Sequence, residues 1–284
     1  MLRMRAGWGV VLMAGAMACF AAMDTTTKVL AVAVPALMVV WARYVFQLAV
    51  ITATHLPRRG AGLLKTRHPG LQAARALLML STTVTGFYGI RAMPLAEFTA
   101  IVLLTPLALT ALAALQRSDA VSWIRWVCVF VGFGGALLML RPGLHISDTA
   151  SWLALAIVVA NTGHQWLTSR TAQLEDPATT QFYSGAVGAL LASIALPLGW
   201  QTLGGMSWAL ILLACVLGFS GHQLLIHAYR QAPVSQLAPY LYLQLAFATL
   251  LGWLVFSQVP DGLALAGLGL IAVSGIMSPL NRAH

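Results

Sequence analysis

Apolar runs, each long enough to cross a bilayer as a single helix, succeed one another from end to end of this 284-residue chain. Set between charged and Pro- or Gly-rich punctuation, they fall at about 7–30, 35–56, 71–92, 95–116, 121–140, 151–171, 178–198, 207–229, 235–257 and 263–280. Only 8% of residues are charged while 60% are apolar, too few polar side chains to cover a folded surface in water. A soluble globule is therefore excluded, the solvent is a bilayer, and no separate soluble domain fits. The runs are apolar on all sides, whereas barrel strands would alternate in polarity over about ten residues, so the spans are helices.

The formal charge of +9 is scattered singly between these runs, without the aromatic-interleaved basic face that tracks phosphates, and no nucleic-acid partner is expected. Cys19, Cys128 and Cys215 lie inside apolar runs at no metal spacing and read as small buried hydrophobes; neither a metal nor a cofactor is expected. Arg3 and Arg5, ahead of the apolar stretch from Gly7 to Met23, also fit a secretory signal, but the repeat described next requires this stretch as an uncleaved first span. With the N-terminus in the cytoplasm, Arg3, Arg5, Arg58, Arg59, Lys65, Arg67, Arg75, Arg117, Arg125, Arg170, Arg230 and Arg282 fall at cytoplasmic ends, against Lys28, Arg91 and Arg141 outside. Twelve against three is a positive-inside bias that predicts two cytoplasmic termini.

An internal repeat organises the chain. An offset of 139 residues sets Arg91 on Arg230 and Pro94 on Pro233, so that the third and fourth runs correspond to the eighth and ninth; Gly135 and Gly275 align at an offset of 140. Trp8 and Trp152 open the first and sixth runs. Units of five spans, an odd number, enter the membrane from opposite sides, and inverted repeats of this kind let two halves exchange roles around a central site. The expected architecture is an all-α integral membrane protein, with ten transmembrane helices in two inverted five-helix repeats, 1–145 and 146–284, around a central cavity.

The stretch TGFYGIRAMPLAEFTAIVLLTPLALTAL, its copy GFSGHQLLIHAYRQAPVSQLAPYLYLQLAFATLLGW, and the unit-closing QRSDAVSWIRWVCVFVGFGGALLML and QVPDGLALAGLGLIAVSGIM resemble the EamA family of the drug/metabolite transporter superfamily. The resemblance spans the whole chain, although its motifs are loose and mostly apolar. It implies ten spans, a central cavity and export of small metabolites across the cell inner membrane, with aromatic-amino-acid exporters of the YddG type as a near comparison. Where that family usually has Glu before a unit's last span, this chain has Gln116 and Gln258, which puts any role for that carboxylate in doubt.

Polar side chains within spans mark a cavity, because lipid does not solvate them. Gln236, Tyr240 and Gln244, spaced four apart, share a helix face, and the repeat maps them onto Glu97, Ile101 and Thr105. Ser220, His222 and His227 map likewise onto Ser81, Thr83 and Tyr88, and His164 continues a small-residue face beside Gln165 and Trp166. For each of these the alternative is an interhelical hydrogen bond. Trp41, Phe87, Tyr88, Trp166, Tyr240 and Tyr242 are candidates to stack on a substrate, whereas Trp8, Trp123, Trp126, Trp152 and Trp208 near span ends read as interfacial anchors. Ala14, Ala18 and Ala22, like Gly132 and Ala136, suit close helix packing.

Arg43, inside the second span, either snorkels to the outer interface or meets a substrate carboxylate. Asp24 and Lys28, four apart, form a candidate pair, and Asp24, Glu97, His164 and His222 are candidates for proton coupling. Ser220 and His222, two apart on a helix, face different ways and cannot form a nucleophile–base pair, so an intramembrane enzyme is disfavoured. A passive channel is the closer rival, because the same polar interior would serve it. The expected function is an alternating-access exporter, acting as a monomer in lipid on a small molecule, with aromatic or other neutral amino acids as first substrates and amines or drugs as alternatives.

Overall fold

The computed structural model describes residues 2–31, 33–92, 102, 104–115, 122–140, 148–257 and 259–280, with backbone alone at 2–6, 87–92, 139–140, 148–154, 275–276 and 278–280. The helical segments are α1 (Leu2–Leu30), α2 (Ala36–Arg59), α3 (Pro69–Ala92), α4 (Thr105–Leu115), α5 (Trp123–Leu140), α6 (Asp148–Leu174), α7 (Pro177–Ala195), α8 (Gly205–Gln231), α9 (Val234–Phe256) and α10 (Gly262–Leu280); the described residues contain no strand. Five of them are long and apolar enough to cross a membrane, namely α1 from Gly7, α2, α7, α8 and α9, and α4, α5 and α10 contain shorter apolar helices. Large apolar side chains such as Val159, Leu190, Ile194 and Leu254 point outward, as lipid permits and water would not. The protein is an all-α, multi-pass membrane protein.

The helices pack in pairs: α1 on α8, α2 on α7, α3 on α6 and α5 on α10, with further contacts of α1 on α9, α4 on α6, α3 on α7, α2 on α8 and α4 on α9. Small residues set the tightest of these. A Cβ at Gly188 of α7 would overlap the Tyr44 ring of α2, and one at Gly135 of α5 would lie 2.7 Å from the Gly267 carbonyl oxygen of α10. On α1 the buried face is Met13, Ala16, Met17 and Phe20, packed with Ala214, Cys215, Leu225 and Ile226 of α8. The expected Ala14, Ala18 and Ala22 stripe is only partly buried, because the larger side chains take the interface. Trp8 and Trp123 are exposed, as interfacial anchors would be.

Segment α9 departs from the expected uninterrupted helix. One α-turn (Val234–Leu237) leads into a 3₁₀ segment (Ala238–Tyr242) and then an α-helix (Leu243–Phe256). Pro239, which has no amide hydrogen and crowds the preceding turn, occupies the start of the tighter segment. Spacing by four therefore no longer keeps one face across it.

Acidic residues at the α6–α7 turn anchor the α2–α3 connection. Asp176 caps α7 by accepting from the Ala178 amide (2.8 Å), ahead of Pro177 at the first helical position, and pairs with Arg59 at the end of α2 (2.7 Å). One oxygen of Glu175 accepts from Thr66 Oγ1 (2.8 Å) and from the amides of Arg67 and His68 (3.0 Å each), with His68 Nδ1 also at 3.0 Å. Burial alone would raise the Glu175 pKa, but these donors outweigh it and hold the carboxyl below its ordinary value. The resulting stability is present above the ordinary carboxylate range and is lost as pH falls through the lowered pKa. Glu175→Gln is thus expected to melt below the wild type at neutral pH, with the difference closing on acidification; equal melting at neutral pH would contradict the anchor.

Candidate substrate site

Helices α2, α3 and α8 enclose a recess in the bundle interior lined by Arg43, Tyr44, Gln47, Met79, Cys215, Gly218, Phe219 and His222, with space for about one water molecule. The recess is thus narrow. Gly218 makes room for the Arg43 guanidinium, since a Cβ there would lie 3.3 Å from its Nε and Nη2. Among the described residues no hydrogen bond or ion pair holds that guanidinium. Tyr44 contacts Thr83 through their hydroxyls (3.3 Å), and Gln47 donates to the backbone oxygen (2.8 Å) and side-chain oxygen (3.0 Å) of Gln181 on α7.

A polar network adjoins the recess. The His222 ring stands edge-on to His164 of α6 (centroids 6.0 Å apart) and to Phe20 of α1 (4.9 Å). His164 Nε2 lies 3.4 Å from Arg75 Nη1, and Arg75 also donates to Thr168 Oγ1 (3.2 Å), to the Thr180 carbonyl oxygen (2.9 Å) and to Ser184 Oγ. Arg75 is fully buried, and Glu and Asp side chains within ion-pair distance are absent among the described residues. The sequence places it near a helix end without telling whether its side chain is exposed there or buried. Arg75 projects from the second turn of α3 into the α6 and α7 interface, where threonine, serine and backbone oxygens solvate its charge. A local positive-inside count cannot distinguish these two positions. The matching polar residues, Thr168, Thr180 and Ser184, come from two other helices.

The remaining expected site residues are dispersed. Asp24 Oδ2 accepts from Gln244 Nε2 (2.7 Å), while Lys28 lies over the Phe256 ring (4.7 Å) instead of pairing with Asp24. Tyr240 is buried in the main apolar core, so the 3₁₀ segment separates it from Gln244. Trp41 donates to Ser193 Oγ (3.0 Å) and meets Trp200 edge-on, outside the recess lining. On α6, successive residues diverge by the helical rotation: His164 meets Arg75, Gln165 accepts from the Tyr229 hydroxyl (2.6 Å), and Trp166 lies beneath the Arg170 guanidinium. Thr105 is buried and accepts from Asn161 (3.4 Å); Ser81 is exposed and Ser220 partly buried. Glu97, with Pro94, and the side chains of Phe87 and Tyr88 lie outside the described residues. Tyr44, Gln47 and Arg75 carry much of the site without having been anticipated. Their signal was polarity within an apolar run, the same signal that picked out Arg43.

No family model matches the chain. Over most of its length it is similar to transporters: 26% identical to an S-adenosylmethionine uptake transporter of Rickettsia felis (87% of this chain, 84% of the relative) and 27% identical to a riboflavin transporter of Rhizobium johnstonii (80% and 76%). A pseudopaline exporter of Pseudomonas aeruginosa is 27% identical over 94% of both chains. A solved crystal structure, 17% identical, superimposes with a TM-score of 0.82 over 96% of both chains, a likeness of fold alone. The apolar helices and these relatives together support a multi-pass membrane transporter of small molecules. The relatives are named as transporters, in line with a chain that is not an enzyme, and none of these three is named for aromatic amino acids.

Proposed function

We propose that this chain is an alternating-access carrier of the EamA, drug/metabolite transporter type, moving small metabolites across a bacterial inner membrane with both termini cytoplasmic. Its ten segments form two inverted five-helix units. The observation that carries this reading is the packing of the main helix pairs, most of which map onto one another when each of α1–α5 is exchanged with the segment five further on, although α6–α8 and α5–α9 have no comparable counterpart among the described residues. The α1–α8 contact becomes α6–α3, α1–α9 becomes α6–α4, and α2–α8 becomes α7–α3, while α2–α7, α4–α9 and α5–α10 map onto themselves. Such symmetry allows a site between the units to open alternately to either face. The recess is too narrow here for a metabolite, so loading it requires the helices to part, as a carrier demands and a standing pore does not.

Counterflow in proteoliposomes tests this reading, with labelled S-adenosylmethionine, riboflavin and tryptophan as solutes. Saturable uptake accelerated by unlabelled solute on the opposite side is expected for at least one of them. A linear leak without such acceleration would replace the carrier with a channel, and absence of movement for all three would remove the reading. Gln244→Ala, which releases the Asp24 carboxylate from α9, is expected to lower the exchange rate about tenfold, the effect of one lost hydrogen bond to a charged group. Its yield of folded protein should be unchanged; wild-type exchange would remove Gln244 from the mechanism.

A further inference from the structure

Resting on the carrier reading above, we propose that the recess takes a substrate with an α-amino-acid end, whose carboxylate is held by Arg43 and whose ammonium is held by Asp24. Arg43 presents a planar fork of donors to the recess, and no acceptor among the described residues occupies it. That geometry suits a carboxylate held by two parallel hydrogen bonds. A second fixed cation lies behind: Arg75 meets His164 (3.4 Å), whose ring stands edge-on to His222 of the recess lining. Neutral oxygens position Arg75 without cancelling its charge, so this side of the recess favours an anionic group and repels a bare cation.

The opposite charge stands close by on α1. Asp24 follows Met23, whose sulfur would lie 3.0 Å from a Cβ on Gly218, beside the Arg43 guanidinium. The Asp24 carboxylate is exposed and forms no ion pair with Arg43, and Gln244 holds it towards α9 (2.7 Å). Opposite charges in a medium of low dielectric attract strongly, and a zwitterion placed between them answers both at once. A ligand without the carboxylate leaves the Arg43 guanidinium unmatched, and one without the ammonium forgoes the contact with Asp24. Phe219 and Met79 provide the apolar surface for the remainder of the molecule.

The experiment uses the full chain in lipid nanodiscs. Binding of S-adenosylmethionine, L-methionine and L-tryptophan is followed by thermal shift, alongside the methyl ester and N-acetyl derivative of each of the last two. At least one free amino acid is expected to bind, and esterification or acetylation is expected to weaken it about thirtyfold or more. Arg43→Gln should abolish discrimination between acid and ester, and Asp24→Asn discrimination between free and acetylated amine. Arg43→Lys should restore part of the first. The unliganded melting temperature of each variant reports its folding independently of binding. The proposal is overturned if derivatives bind as tightly as their parents, if discrimination survives both Arg43→Gln and Asp24→Asn, or if no amino acid in the set binds. Riboflavin counterflow without amino-acid binding would overturn the zwitterion site and leave the carrier reading standing, whereas failure of all counterflow would strike the carrier reading itself.

Discussion

Arg75→Leu is expected to abolish transport and to lower folded stability by on the order of 3 kcal/mol. Two effects oppose each other at this position. Removing a buried charge relieves its desolvation, and a buried ionic group replaced together with its partners by apolar residues is often neutral in stability. Here the partners remain buried: the Thr180 carbonyl keeps the Ser184 hydroxyl (3.1 Å) and Thr168 keeps its bond to the His164 carbonyl oxygen (2.7 Å), but the Thr168 and Ser184 oxygens lose their donor, each loss costing about 1–3 kcal/mol. The second effect wins because one guanidinium serves several acceptors on two helices. Arg75→Lys should recover little, since an ammonium cannot span that fork. Thermal unfolding in nanodiscs and counterflow in proteoliposomes measure the two losses. A Leu variant that melts and transports like the wild type would reduce the network to filling.

Gly135→Leu should have a comparably large effect through a different cause. Helices α5 and α10 approach so closely that a Cβ at Gly135 would lie 2.7 Å from the Gly267 carbonyl oxygen and 2.9 Å from Leu270 Cβ. A backbone carbonyl cannot rotate aside as a flexible side chain would, so the helices must separate. Overpacking of this kind costs typically about 1–3 kcal/mol, and the carbonyl contact puts this site at or beyond the upper end. Gly134, with open space within 4 Å of its virtual Cβ, is the matched control. Gly134→Leu should leave the yield of folded, monodisperse protein unchanged, while Gly135→Leu should reduce it severalfold. Equal yields would show that the α5–α10 contact yields without penalty.

The membrane class was legible because it depends on a sum: runs such as 207–229 are apolar all round, and only helices satisfy their own backbone in lipid. Segment positions were likewise close, with α8 at Gly205–Gln231 and α7 at Pro177–Ala195. Partnerships were less legible. Arg75 and Arg58 look alike in a count of positive charges, yet one is buried against oxygens from α6 and α7 and the other is exposed near the α2 terminus. What separates them is the set of residues more than eighty positions away. The Gln236, Tyr240 and Gln244 stripe failed locally for a legible reason, Pro239, whose ring makes a uniform α-helical period unsafe to extend. Arg43 stands out by its rarity in an apolar run, whereas Tyr44 beside it, unlike Tyr240, has no polar residue four positions away to mark its face: Val40 and Leu48 flank it there.

The tight winding between Ala238 and Tyr242 also sets the reach of α9. A 3₁₀ helix rises about 2.0 Å per residue and an α-helix about 1.5 Å, so these five residues carry the rod roughly 2.5 Å further than five α-helical ones would, and Pro239 opposes their relaxing into that shorter path. The same winding fixes how far the half from Leu243 onward is turned about its own axis. Gln244 sits at the start of that half and grips Asp24. One proline thus decides how high, and at what angle, the amide meets the acid beside the recess.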